Sequence, residues 1–160
     1  EMLIEYLDFA ASDDSKDRSV INPIEAIIKI KNDVHFRNHK IELEVLNDEA
    51  ATVNENVFVR SITNILNNAI DKAGRIIIKA EVNSKMIKIN IHDNGPGIDD
   101  EEKANVFKPF YRIDKSRNQN KTNSGLGLAT TKSLLGSING KISLHDSYLG
   151  GLEVAIVIQN

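Results

Sequence analysis

Hydrophobic positions along this chain switch between two periods, and the switches mark its elements. Met2, Leu3, Tyr6, Leu7 and Ala10 recur at helical spacing, and the polar run Ala11-Ser12-Asp13-Asp14-Ser15-Lys16-Asp17 ends that segment in a linker. Asn22-Pro23 opens a second helix with proline at its first position, and Ile24, Ala26, Ile27, Ile28 and Ile30 supply its apolar side up to about Phe36. Period two then takes over: Ile41, Leu43 and Val45 alternate with Glu42, Glu44 and Leu46 as a strand. Residues 76–82 and 86–91 read as a hairpin around Asn83-Ser84-Lys85, and residues 141–145 and 152–158 as another, joined through Asp146-Ser147-Tyr148-Leu149-Gly150-Gly151. Between the first strand and these hairpins, residues 54–73 return to the helical period, with Phe58, Ile62, Ile65, Leu66, Ala69 and Ala73 on one side. The expected fold class is α+β, a two-layer α/β sandwich whose mixed sheet of about five strands is backed by about three helices.

The other side of that helix is rich in amides. Asn64 and Asn68 stand one turn apart, with Asp71 and Lys72 a turn further on. Asparagine is a poor helix former, and residues 64, 67 and 68 cost stability that some interaction must offset. A neutral amide oxygen is a hard ligand suited to Mg²⁺, an ion that shares its shell with phosphates. Two glycine-rich stretches follow, Asp93-Asn94-Gly95-Pro96-Gly97 and Gly125-Leu126-Gly127-Leu128. Glycine lets a backbone take positive φ and approach a ligand, so the ordered combination reads as a nucleotide site with adenine on one side and phosphates on the other.

Composition narrows the class. With 160 residues and 41% hydrophobic content the chain can bury one core, and 23 acidic against 20 basic residues give no field for nucleic acid or an anionic membrane. Cysteine is absent, which excludes disulfides and thiolate metal sites. No apolar run approaches the roughly 20 residues that span a bilayer. The chain begins at Glu1 in mid-pattern and reads as a fragment, whose parent can still carry a membrane anchor.

Asn64-x-x-x-Asn68-Ala69, Asp93-x-Gly95-x-Gly97, Phe107-x-Pro109-Phe110 and Gly125-Leu126-Gly127-Leu128-Ala129, in that order, resemble the N, G1, F and G2 boxes of sensor histidine kinases. The resemblance covers roughly residues 22–160 and implies the ATP-binding catalytic domain of the fold shared with gyrase, the Hsp90 chaperone and MutL, with a Bergerat-type site and a mobile lid. Phe107-Lys108-Pro109-Phe110-Tyr111-Arg112-Ile113-Asp114-Lys115-Ser116-Arg117 and Ile4-Glu5-Tyr6-Leu7 are most similar to the EnvZ osmosensor group. It further implies three parts: residues 1–11 as the tail of a phosphoacceptor hairpin, 12–21 as a linker, and 22–160 as the catalytic domain. The expected activity is transfer of the γ-phosphoryl group of Mg-ATP to a histidine on a dimerisation domain lying outside this chain. The resemblance also implies a response regulator downstream, and for this domain a place in the cytoplasmic part of an inner-membrane sensor.

Position by position, the resemblance implies that Asn68 coordinates Mg²⁺ and that Asn64 contacts phosphate or the metal's water shell. Asp93 takes the adenine amino group, a role suited to an ionised carboxylate because it only accepts hydrogen bonds. Gly95 and Gly97 let the loop pass beneath the base, beside Ile98 and Ile91. Gly125 and Gly127 bring backbone N–H groups and a helix N-terminus to the phosphates, with Leu126 and Leu128 turned to the core. Lys115, Arg117 and Lys121 lie in a polar lid between the loops, Arg117 reaches phosphate, and Phe107 and Phe110 anchor the lid's base. Arg112 joins the cationic surroundings or pairs with Asp114.

Three departures from the family pattern stand out: Asp71 replaces a usually basic residue and Lys72 a usually aromatic one, Asn123 replaces a glycine, and the lid is slightly longer. In the ATPase relatives the place of Asn64 holds a glutamate that activates water, which an amide cannot do. None of His35, His39, His92 and His145 has the surroundings of a phosphoacceptor; each reads as surface or structural, and His35 with His39 lacks a third metal ligand. Two rival readings keep the fold: a nucleotide-binding scaffold silenced by Asp71 and Lys72, and an interaction module that binds no nucleotide.

Overall fold

A computed structural model describes residues 17–113 and 127–159. The elements, in order, are β1 (Ser19–Ile21), α1 (Pro23–Asn32), β2 (Ile41–Asn47), β3 (Ala51–Val53), α2 (Glu55–Ile70), β4 (Ile76–Asn83), β5 (Met86–Asp93), α3 (Asp100–Lys103), a 3₁₀ turn (Asn105–Phe107), α4 (Gly127–Ser137), β6 (Gly140–Asp146) and β7 (Leu152–Gln159). Five strands form one mixed sheet in the order β2-β4-β5-β7-β6, in which β2 and β4 run parallel and the other pairs antiparallel. β1 and β3 form a separate antiparallel pair.

Local chemistry sets the helix starts. Asn22 caps α1, its Oδ1 accepting the Glu25 N–H at 3.0 Å ahead of Pro23, and Asn54 caps α2 by accepting from Val57 N at 2.9 Å. Strand alternation sets the two faces of the sheet. Ile76, Ile78, Ala80 and Val82 of β4, with Ile87, Ile89 and Ile91 of β5, join Ile27, Phe58, Ile62, Ile65, Leu66 and Leu135 of the helices in one core. The alternate positions, Lys79 and Glu81 on β4 and Lys88 and Asn90 on β5, are half-buried or exposed. The sandwich therefore has a packed face and a polar face.

Differences from the sequence expectation have local causes. α1 stops at Asn32 rather than near Phe36, because Asp33 turns extended and its Oδ1 captures the His35 N–H at 3.0 Å; Phe36 is still buried, from a turn. α2 ends at Ile70, three residues before Ala73. Ser19–Ile21, expected at the end of a linker, is instead a strand on Ala51–Val53, a pair of three-residue segments too short to show a period. The helix expected over residues 2–10 and the hairpin tail over 1–11 lie outside the described residues.

Ile89 lies fully buried on β5 between β4 and β7. Ile89→Ala is expected to lower unfolding free energy by about 2–5 kcal/mol. Lys88→Ala, on the polar face beside it, is expected to change it by no more than about 0.5 kcal/mol. Urea denaturation of both variants checks the assignment of the two faces.

Candidate functional site

α2 turns its apolar stripe to the sheet and leaves its amides on the flank, where each finds a tertiary neighbour. Asn64 Nδ2 donates to Thr131 Oγ1 of α4 at 3.4 Å, and the Thr131 hydroxyl donates to the Gly127 carbonyl at 2.8 Å. Asn67 Oδ1 accepts from His35 Nε2 at 2.9 Å. Asn68 stands against the first residue of α4: a Cβ at Gly127 would lie 3.5 Å from its Nδ2 and 3.8 Å from its Oδ1. The helix-propensity cost of three asparagines is thus met by contacts that fasten the α1–β2 connection and α4 to one helix. Missing side-chain bulk at Gly127 leaves a cradle between the Asn68 amide and the start of an eleven-residue helix, whose first N–H groups favour an anion.

The residues that follow α2 meet the 93–97 loop. A Cβ at Gly95 would sit 3.0 Å from the Lys72 carbonyl oxygen and 3.0 Å from Asp93 Oδ1. Asn94 Oδ1 accepts from Gly74 N at 3.0 Å and Arg75 N at 2.9 Å, and Asn94 N donates to Arg75 O. The loop is therefore stapled to the residues that follow the helix. Asp93 itself is 8% exposed, and its Oδ1 accepts from Gly95 N at 2.8 Å and Leu152 N at 3.1 Å. Both bonds hold a carboxylate that can only accept, and neither uses Oδ2.

Behind Asp93 lies the β6–β7 connection. Gly151 N donates to Asp93 O, and a Cβ at Gly151 would lie 2.2 Å from Asp93 Oδ1, 2.5 Å from Gly95 N and 2.6 Å from Asp93 O. No side chain fits there without moving the carboxylate. Gly97 takes φ +71 beside the Gly151 carbonyl, a conformation that suits glycine.

The remaining expected residues divide. Ile98, Phe107 and Leu128 pack against the core, and the Lys132 ammonium lies 5.2 Å from the Phe107 ring centre. Phe110 does not anchor the segment as expected. It sits at φ +64 and is 52% exposed, and Tyr111 takes that role by packing on the core with its hydroxyl donating to Glu102 Oε2. That bond holds the Tyr111 phenol above its ordinary pKa. Lys72 enters through its carbonyl; its side chain, Asp71 and Arg112 are exposed. Arg117, Lys121, Gly125 and Leu126 lie outside the described residues. Among the described residues no cluster of three histidines or carboxylates could hold a metal, and no helix is long and apolar enough to cross a membrane. Thr131, Asn94 and Gly151 were missed from the sequence. Asn94 carried a signal as a side-chain acceptor just before glycine; the other two depend on neighbours distant in sequence.

Comparisons with known proteins agree with this fold. Residues 53–160 match the family described as histidine kinase-, DNA gyrase B- and HSP90-like ATPase. The chain is 34% identical to the sensor histidine kinase CpxA of Escherichia coli over 104 residues, 64% of this chain and 23% of that protein. It is 31% identical to the phosphate regulon sensor protein PhoR of Haemophilus influenzae over 124 residues, 76% of this chain and 29% of that protein. The match thus spans about a quarter of each of these relatives. The catalytic domain of the histidine kinase ThkA shares the fold at a TM-score of 0.76 and 22% identity, covering 89% of this chain and 97% of that one. Full-length ShkA in complex with AMPPNP aligns at 0.76 and 17% identity, covering 98% of this chain and 35% of that one.

Gly151→Ala is expected to lower stability by about 1–3 kcal/mol, because its methyl group must displace the Asp93 carboxylate. Gly136→Ala, in α4 with open space around it, is expected to raise stability by about 0.5–1 kcal/mol. Thermal unfolding of the pair measures the constraint at residue 151 against a permissive glycine.

Proposed function

The chain belongs to the family of histidine kinase-, DNA gyrase B- and HSP90-like ATPases, and on that premise we propose that it is the ATP-binding catalytic domain of a sensor histidine kinase in a two-component system. It binds Mg-ATP and passes the γ-phosphoryl group to a histidine on a dimerisation hairpin of the parent protein. The carrying observation is the arrangement at the C-terminal part of α2: amides at Asn64 and Asn68 beside the start of α4, and the Asp93 loop against the residues that follow the helix.

Each end fits its part of the nucleotide. The Asp93 carboxylate, fixed through Oδ1, leaves Oδ2 to accept from the exocyclic amino group of adenine, and it would repel the O6 acceptor of guanine. The bare Cα of Gly127 lets phosphate oxygens approach the α4 N-terminus next to Asn68. Asn64 and Asn68 stand in the last two turns of α2 and Lys72 lies two residues beyond its end, so the amides and the Asp93 loop line one continuous stretch along which a nucleotide can lie from phosphates to base. Asn68 is the residue to hold Mg²⁺, which when bound neutralises phosphate charge and orients the β- and γ-groups. Arg117 and Lys121, together with Arg112, supply further positive charge.

An amide at residue 64 decides between donor and hydrolase. It can orient phosphate or a water but has no lone pair basic enough to take a proton near neutral pH, so the bound γ-phosphate waits for a better nucleophile. The imidazole of the hairpin is that nucleophile, and positioning supplies most of the catalysis. Within the sensor kinases we place the chain in the EnvZ-type group on the run from Phe107 to Arg117. The parent is a membrane-anchored dimer with this domain in the cytoplasm and a response regulator downstream.

Asn68→Ala is expected to weaken Mg-dependent ATP binding by at least about tenfold in calorimetric titration, in line with loss of one charge-assisted contact. The same variant should abolish labelling of the parent's hairpin supplied in trans from γ-labelled ATP. Full Mg-dependent affinity in Asn68→Ala would remove the metal role. A wild-type chain that binds ATP but never labels the hairpin would instead favour the silent scaffold, and Asp71→Lys then shows whether the unusual carboxylate is responsible.

A further inference from the structure

On the polar face of the sheet, directly behind the adenine-binding aspartate, a titratable side chain is buried opposite Ile77 of β4. His92 precedes Asp93 on β5 and is 6% exposed. The 147–151 connection folds over it: the Tyr148 ring lies 4.7 Å from the imidazole, and Ser147 Oγ lies 3.5 Å from Nδ1. Ser147 Oγ accepts the Leu149 N–H at 3.1 Å, and its rotatable O–H can donate to Nδ1. Nε2 faces Glu153 Oε1 at 3.9 Å, and because a carboxylate only accepts, this favours the Nε2–H tautomer, in which Nδ1 accepts from Ser147. Lys79 caps the outside of Tyr148 at 4.7 Å from its ring centre and pairs with Glu44 at 3.6 Å.

The same connection is the backing of Asp93. Ser147 N donates to Gly151 O, Gly150 N to Ser147 O, Gly151 N to Asp93 O and Leu152 N to Asp93 Oδ1. A chain of short contacts thus runs from the imidazole through Ser147 and Gly151 to the base-recognising carboxylate.

We propose that His92 is a positioning residue for adenine recognition: from the far face of the sheet it seats the 147–151 connection, and that connection fixes the Asp93 carboxylate. The inference rests on the nucleotide-binding reading above and deepens it. His92 touches no nucleotide and acts through Ser147 and Gly151.

Protonation gives the role a signature. Burial lowers the His92 pKa below the ordinary imidazole value, against the opposing pull of Glu153 on β7, Glu44 on β2 and Asp93 beside it, and with the help of Lys79 on β4. The seated connection therefore belongs to neutral His92, whose Nδ1 accepts from Ser147; once protonated, Nδ1 can no longer accept, and the Ser147 hydroxyl must rotate away and give up that donation. A group with a lowered pKa in the seated state contributes in full above the ordinary value of about 6.5, and its contribution is lost as pH falls through the lowered value.

Calorimetric titration of the 160-residue chain with Mg-ADP between about pH 5.5 and 8 tests this in wild type, His92→Phe and His92→Gln. Comparison between variants cancels the titration of the ligand's own phosphate, whose pKa lies near 6. His92→Phe, which keeps the bulk and loses the acceptor, is expected to bind about fivefold more weakly at neutral pH, as suits one lost hydrogen bond. His92→Gln restores a group able to accept from Ser147 and is expected to recover part of that loss while losing the acid-side fall seen in wild type. Amide hydrogen exchange on the same proteins follows Gly95, Gly151 and Leu152, whose protection should drop in His92→Phe whether or not nucleotide binds. Unchanged protection with equal affinity in His92→Phe, and a flat ratio of wild-type to His92→Gln affinity across the pH range, overturn the positioning role. A wild-type chain that binds no Mg-ADP while the exchange effect persists overturns the nucleotide reading instead, and with it the adenine part of this proposal.

Discussion

The bond from which the rest of the site takes its position is that between Asp93 Oδ1 and two backbone N–H groups, Gly95 at 2.8 Å and Leu152 at 3.1 Å. One donor belongs to the loop that follows β5 and the other to the start of β7, so a single carboxylate oxygen joins two segments nearly sixty residues apart. Because the residue is 8% exposed, leaving that oxygen without partners would cost the desolvation of a charged group, a larger penalty than an ordinary hydrogen bond repays. The constraint spreads outward. Gly151 must lack a side chain, Gly97 must turn with positive φ, and Asn94 fastens the loop to the residues after α2.

α2 converts that fixed end into a measured distance. A helix rises about 1.5 Å per residue, so once the chain just past its C-terminus is held by the close approach of the Lys72 carbonyl to Gly95, the positions of the Asn68 and Asn64 amides along the axis follow. α4 is then placed by Asn64 through Thr131, and by the bare Cα at Gly127 beside Asn68. The chemistry follows from what the measured positions hold. In the proposed function a carboxylate stands at the base end and neutral amides at the phosphate end, where a water-activating site needs a base. The site is organised to hold a phosphoryl donor still.

Much of this was legible in the sequence because it is local. Asn22 before Pro23, Asn54 before a periodic apolar stripe, and the Asn83 turn between β4 and β5 all act within a few residues, and the structure places each as expected. The ordered asparagine and glycine motifs carried the family. What the sequence hid was tertiary. β1 and β3 are three residues each, too short to show a period, and gain their strand character from one another. Asp33 ends α1 because its carboxylate finds a nearby N–H, a competition invisible to apolar spacing. Gly150-Gly151 reads as an ordinary turn, and only the 2.2 Å approach to Asp93 shows that residue 151 is constrained. Phe110 looked like an anchor because it is aromatic, yet a positive φ leaves it half in solvent while Tyr111 packs.

The central claim is that γ-phosphate held by this site moves to an imidazole rather than to water. The most direct measurement is to follow γ-labelled ATP with and without the parent's hairpin, counting label on protein histidine against label released as free phosphate. Label on histidine when the hairpin is present, with little free phosphate in its absence, is the result expected of a site with an amide at residue 64. Steady phosphate release without the hairpin and no labelled histidine with it would contradict the account, since it would mean that this site activates water by a group other than Asn64.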